Sequence, residues 1–436
     1  MSFQKYPWQD LRSLPIKRAL AVKRLGLLCG KAAFLAALAS SNWCAAQDAA
    51  SAAPPARDTI TLQSGYFRGD YANNADYVDV LLEGSRGVER LARWTYDKYQ
   101  DKLDGPWMRA GLILGSSAIT LLNGSHIAYH EWGHASRAVA MGGRAEFSKC
   151  ANTFCQVPRD FFGLTSALFL KTGAVTHSTF PGNQLKVNQD TGRAPLVILY
   201  GAGVNNEIGV SERSDVQQFF KGSSSTVNTF SVTNNLAIAL YGSGKDTGDG
   251  DIEVVAQDYR FRGLDSNIQS DDLRKINWLS ALSGSVISGV LARRDFIVDG
   301  KTNAQPWLIN SFLFPNQYNY LSSRGITRKW VSGYVFSDSL KVLGSYESVV
   351  RGDDYGEFGL GAYKDLGNWD VYAKVTGKDL DTLNLEAAAS TAVAKDWKLG
   401  LKAYLWDSRS LLGERNTQDF SKNKTQQVSV ALSYVY

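Results

Sequence analysis

Only four histidines occur in this 436-residue chain, and two of them stand in the stretch His130-Glu131-Trp132-Gly133-His134. In a helix, positions four apart share one face, so both imidazoles can reach a single metal ion. Glu131 then points to the side of that pair. There it can hold a water beside the ion and take its proton, which is the division of labour that metal-assisted hydrolysis needs. A catalytic zinc site takes three protein ligands and keeps one position open. The stretch supplies two of the three, so one ligand must come from elsewhere in the chain.

The flanking residues predict the helix that this chemistry requires. Asn123-Gly124 ends an apolar run at 110–122, Ser125 can cap a new helix, and Gly142-Gly143 can end it. His126, His130 and His134 then fall at successive i, i+4 positions, with Arg137 nearby. His126 reads either as a group beside the metal or substrate or as an ordinary helix histidine. Arg137 is a candidate for stabilising an oxyanion.

The His-Glu-x-x-His stretch resembles the zincin metallopeptidases. The resemblance covers residues 126–142 and, less fully, 201–212. It implies zinc bound by His130 and His134, Glu131 as general base, and a peptide or protein substrate. For the third ligand it points to Glu207, because Asn206-Glu207 in Gly201-Ala-Gly-Val-Asn-Asn-Glu-Ile-Gly-Val-Ser-Glu212 is similar to the second signature of the gluzincins. The serine and acid of that signature correspond only roughly to Ser211 and Glu212, at altered spacing. A second resemblance is to intramembrane site-2-type peptidases, where the same motif is followed by a Gly/Asn motif and then an aspartate. Here His130 and His134, then Gly203 and Asn205, then Asp251 follow that order, without the Pro-rich Asp-Gly signature. Asp258 is a third possibility for the last ligand.

Composition narrows the setting. The net charge is +5, with both signs mixed along the chain and no basic block, which argues against a nucleic-acid partner. Near the N-terminus, Lys17, Arg18, Lys23 and Arg24 precede an apolar run from Ala32 to Ala39. Cys44-Ala45-Ala46 then offers small residues before a cut at Gln47, so residues 1–46 read as an export signal. Lys31 interrupts the apolar segment, which leaves an internal start codon open. Outside that signal only Cys150 and Cys155 remain, and an oxidising compartment favours a local disulfide between them over a metal pair. Gly242-Ser-Gly-Lys245 lacks the glycine and hydroxyl spacing of a phosphate loop. The run 246–251 lacks the terminal Glu of a calcium loop, and reads as a polar turn.

The hydropathy period changes along the chain. Residues 70–327 read as a mainly helical domain, with one long helix expected at 270–292 behind the cap Ser270. From about 328 period two dominates, clearest in Trp397-Lys-Leu-Gly-Leu-Lys-Ala-Tyr-Leu405. Strands of about nine to eleven residues suit an antiparallel barrel that crosses a membrane. Val428, Val430, Leu432, Tyr434 and Tyr436 alternate to a final aromatic, which resembles the assembly signal of Gram-negative outer-membrane barrels. The expected fold is therefore α+β: a zincin-like helical domain and a C-terminal barrel of about eight strands at 328–436. The missing strand of an even-numbered barrel is either 58–67, within a leader at 47–69, or a segment near 311–320. The implied protein is an envelope zinc hydrolase in contact with outer-membrane lipid and the barrel assembly machinery. The alternative is a non-enzymatic outer-membrane channel or anchor carrying a structural histidine helix.

Overall fold

Alternating apolar and polar residues build the largest element, a ten-stranded antiparallel sheet among the described residues. The computed structural model describes residues 59–63, 74–122, 125–148, 175–180, 194–224, 250–280, 283–304 and 306–435. All of these belong to one unit, Ala53–Tyr436. The expected signal at 1–46, and the cysteines Cys150 and Cys155, lie outside the described residues.

Strand β1 (Thr59–Gln63) opens the described chain and is followed by helices α1 (Asn74–Lys98), α2 (Gln100–Leu103), α3 (Pro106–Leu122) and α4 (Ser125–Ala140). A hairpin pairs β2 (Arg144–Ser148) with β3 (Val175–Thr179), and α5 (Pro195–Tyr200) and α6 (Ala202–Lys221) come next. The short β4 (Ser223–Ser224) is followed by α7 (Asp251–Phe261), α8 (Ser270–Ser280) and α9 (Gly284–Asp299), then β5 (Asn303–Ala304), its pairing partner. The rest is almost all strand: β6 (Leu308–Ile309), β7 (Phe312–Ser322), β8 (Gly325–Ser337), β9 (Leu340–Gly352), β10 (Gly356–Asp365), β11 (Trp369–Gly377), β12 (Asn384–Ala394) and β13 (Trp397–Asp407). Helix α10 (Leu411–Asn416) precedes the last strand, β14 (Lys424–Val435).

Each strand from β6 to β14 pairs with its sequence neighbour, and β1 adds to β14 in the register Thr59↔Val435 to Gln63↔Ala431. Both candidates for the missing strand are therefore strands, and the helices are inserted between them. The first long strand starts at Phe312, ahead of the expected boundary near 328. Its alternation is blurred because six of the seven residues from Asn316 to Ser322 are buried, and its register slips between Leu313 and Asn316, around Pro315. Among the described residues no ladder joins β1 to β6 or β7. The sheet is thus open in its hydrogen bonding, where the sequence suggested a closed barrel.

The helices and the sheet share one hydrophobic core. Val204, Ile208 and Phe219 of α6 pack with Leu313, Tyr318 and Tyr320 of β7, Val331 of β8 and Leu343 of β9. The helical segment is therefore not a separate layer; α6 lies against the inner face of the sheet. The expected helix at 270–292 is also two helices. Ser283 is extended (φ −62°, ψ 147°), and the Ser285 amide donates to Asn316 Oδ1 of β7 at 2.8 Å. Docking the start of α9 onto β7 ends the continuous helix.

The sheet is inverted in polarity. The side facing α6 carries Lys329, Glu347, Glu357, Glu386 and Gln427, all buried. The other side carries Trp330, Phe358, Leu360, Trp369, Leu399, Leu401, Val428 and Val430, all exposed. Phe358 is 62% and Leu360 63% exposed, while Lys329 is 1% and Glu347 3% exposed. The inner charges are paired: Lys329 Nζ lies 2.5 Å from Glu212 Oε1 of α6, and Arg415 makes a two-pronged contact with Glu347 at 2.6 and 2.7 Å. No helix among the described residues is long and apolar enough to cross a membrane alone.

Candidate metal centre

Helix α4 runs over Ser125–Ala140, as its flanking signals predict, and it is anchored by its apolar face. Tyr129, Trp132, Ala135 and Ala138 pack with Val78 and Leu82 of α1 and Val210 of α6. That burial turns His130 and His134 toward Glu207 of α6 and Asp251 of α7, and Glu131 toward Thr176 of β3. Two glycines permit the close approach. A Cβ on Gly133 would lie 2.3 Å from the Ala202 carbonyl oxygen, and a Cβ on Gly203 would lie 2.5 Å from His130 Nε2. The Asn206 side chain closes the crossing by donating to the Tyr129 carbonyl at 2.7 Å.

The two imidazoles are held at their Nδ1 atoms and converge at Nε2. His134 Nδ1 lies 2.7 Å from the Leu199 carbonyl at the end of α5. A carbonyl only accepts, so this nitrogen carries its hydrogen and Nε2 is the atom free to ligate when the ring is neutral. His130 Nδ1 lies 2.8 Å from Glu207 Oε1. Both Nε2 atoms face one carboxylate oxygen, Asp251 Oδ2, at 2.8 Å from His130 and 3.1 Å from His134. Asp251 is the first residue of α7, where the helix N-terminus favours a negative charge. The donor atoms of His130, His134 and Asp251 all lie within 4.8 Å of one another, so the three form a group able to hold a metal ion.

Among the described residues, the acidic side chain grouped with the two histidines is Asp251. Glu207, the first sequence candidate, lies outside that group and touches the opposite nitrogen of His130, a position from which a carboxylate orients an imidazole. Asp258, two turns along α7, is committed to Arg262 at 2.6 Å. Glu212 is spent on Lys329 and on the Tyr320 hydroxyl, at 2.5 and 2.6 Å. Burial alone would raise its pKa, but the Lys329 and Lys374 charges hold it far below the usual carboxylate range.

Electrostatics tie the triad together. Burial pulls the His130 imidazole down, but hydrogen bonds and charges from Asp251 and Glu207 outweigh it and hold its pKa well above the ordinary value. His134 is raised in the same way, against burial, chiefly by Asp251. Burial would raise the Asp251 pKa, yet the paired histidines hold it far below the usual range. A divalent ion entering between the rings and the carboxylate competes with protons for the same donor atoms.

Glu131 is buried beside this group. Its Oε2 accepts a hydrogen bond from Thr176 Oγ1 of β3 at 2.6 Å, and the same hydroxyl lies 2.9 Å from the Glu131 carbonyl. Arg137 Nη1 donates to the Glu414 and Thr417 carbonyls at 3.0 and 2.9 Å, tying α4 to α10. Burial lowers its pKa to about 9, against the pull of Glu414. His126 belongs to α4, but its side chain lies outside the described residues.

Thr176 and Leu199 escaped the sequence reading. Leu199 acts through its carbonyl, so its side chain carries no signal, and Thr176 comes from a loop-rich region without a motif. Gly203 offers a direct check. Gly203→Ala must push the His130 ring aside, and it is expected to cut metal affinity by about tenfold or more, measured with zinc in competition with a chelator. Unchanged affinity in a folded variant would contradict this packing. No protein-family model matches the chain, and no curated protein is detectably similar to it.

Proposed function

We propose that this protein is a zinc-dependent hydrolase of the cell envelope, acting on peptide bonds. The observation that carries the reading is the convergence of His130 Nε2, His134 Nε2 and Asp251 Oδ2 with the Glu131 carboxylate alongside. Two imidazoles and one carboxylate are a zinc donor set that leaves a position open. A divalent ion held by His130, His134 and Asp251 would supply Lewis acidity, polarising a carbonyl and making a neighbouring water more acidic. Glu131 is placed to take that proton and carry it to the leaving amine. Thr176 holds one of its oxygens and leaves the other for the water. Glu207 and Leu199 hold the two rings in the ligating tautomer. An aspartate as the last donor follows the order of the site-2-type resemblance rather than the gluzincin one. The test is hydrolysis of a labelled general protein substrate by the wild type and by Glu131→Gln.

The setting we infer is an outer-membrane β-barrel filled by its helical insertion. Support comes from the inverted sheet, with exposed Trp, Phe, Leu and Val outside and paired charges inside, which is the polarity of a barrel in lipid. Outer-membrane lipid and the barrel assembly machinery are then its partners. Unheated protein in detergent gels is expected to migrate differently from boiled protein. Identical migration would speak for a soluble sheet.

One observation favours a second reading, a non-enzymatic outer-membrane protein with a structural histidine helix. Both imidazoles are already satisfied by Glu207, Leu199 and Asp251. Metal analysis of folded protein separates the two readings.

A further inference from the structure

The gap left by the unpaired strands is spanned by helices. Helix α1 packs on β1 at one edge of the sheet, α9 packs on β7 near the other, and α3 packs on both helices. Tyr96 of α1 meets Phe296 of α9 edge to face at 4.9 Å. Arg109 of α3 donates to the Ile297 and Val298 carbonyls of α9, both at 2.9 Å. The path β1–α1–α3–α9–β7 thus runs from the β1 edge to β7, next to the short edge strand β6, across the gap that no ladder closes among the described residues.

Helix α3 is inverted in the same sense as the sheet. Its one charged residue, Arg109, is only 5% exposed. Among its described side chains the exposed ones are all apolar: Pro106, Trp107, Met108, Gly111, Leu114, Gly115 and Ala118. Trp107 is 88% and Leu114 70% exposed. Seventeen residues of helix give about 25 Å, matching the height of the apolar band on an outer-membrane barrel. Beside the start of α3, Lys98 sits over the exposed rings of Trp94 and Tyr99, at 4.7 and 5.5 Å. Basic and aromatic groups together mark a boundary between hydrocarbon and water.

We propose that α1, α3 and α9 close the barrel wall between β1 and β7, and that the outer face of α3 is in contact with the hydrocarbon of the bilayer. This rests on the barrel reading. Only one face of α3 meets lipid while Arg109 and Ser116 face inward, so it need not be apolar enough to cross alone. The occupant follows from continuity: the outer face of α3 extends the belt formed by Phe358, Leu360, Leu399, Leu401 and Val430. A water-facing wall would place polar side chains at 107, 111 and 114 instead.

The test uses full-length protein with Cys29, Cys44, Cys150 and Cys155 replaced by Ser. A single cysteine is introduced by Leu114→Cys, by Leu399→Cys on β13, or by Lys422→Cys in the loop before β14. Each is labelled with a small fluorophore and reconstituted into phosphatidylcholine vesicles, with or without brominated acyl chains. Trp107→Cys repeats the α3 measurement should Leu114→Cys fail to fold. The expected result is at least twofold quenching at 114 and 399 and none at 422. Quenching at 399 without 114 would overturn the proposal and leave the barrel standing. An unquenched 114 that crosslinks between chains would show a second copy on this face, and would also overturn it. Quenching at 114 alone would remove the continuity on which the proposal rests. No quenching at either would take the barrel reading down with it.

Discussion

Glu131→Gln is expected to abolish hydrolysis while leaving the zinc in place. The glutamine amide has nearly the shape of the carboxylate, and its carbonyl oxygen can still accept the Thr176 hydroxyl that lies 2.6 Å from Glu131 Oε2. What it cannot do is take a proton. General-base catalysis contributes about 10²–10⁴-fold, so the loss should fall in that range or beyond. None of the three donor atoms belongs to Glu131, so metal content should stay at the wild-type level. Turnover and zinc are measured on the same preparation. Normal turnover with zinc present would remove Glu131 from the mechanism.

Asp251→Ala and Glu207→Gln are expected to separate the two carboxylates around His130. Asp251 supplies an oxygen that both Nε2 atoms face, so its removal leaves two histidines, too few for a stable site. Zinc should be lost on dialysis. Glu207 acts from the far nitrogen, 2.8 Å from Nδ1. Its replacement by Gln keeps a hydrogen-bond acceptor and should weaken zinc binding by about 10–100-fold without abolishing it, the usual cost of disturbing a group behind a ligand. Competition with a graded series of chelators reads both. The reverse order, with Glu207→Gln losing the metal and Asp251→Ala keeping it, would restore the gluzincin assignment.

Part of this arrangement is legible in the residues alone. The histidine helix is, because its spacing, the serine at 125 where the helix begins and the glycines at 142–143 where it ends are local signals. The strands after 328 are, because their period of two persists. The carboxylate that joins them is not: Asp251 reaches the histidines across 121 and 117 positions of chain, and Glu207 matches a known signature while touching the other nitrogen of His130. The closeness that brings them together rests on Gly133 and Gly203, whose meaning appears only once α4 and α6 cross. The split between α8 and α9 is hidden for a similar reason. It depends on Asn316, a residue of β7 that no helical period can reveal. Period two alone leads to the expectation of a sheet closed by strand pairing, and the helices that pack between β1 and β7 are invisible to a reading that treats helical and strand segments as separate domains.

Zinc content of the purified, folded chain is the measurement that bears most directly on the central claim. The account predicts about one zinc per chain in the wild type, and none after dialysis of His134→Ala or Asp251→Ala. A folded wild-type protein that holds no zinc after equilibration with it would contradict the account and leave the histidine pair as a structural element.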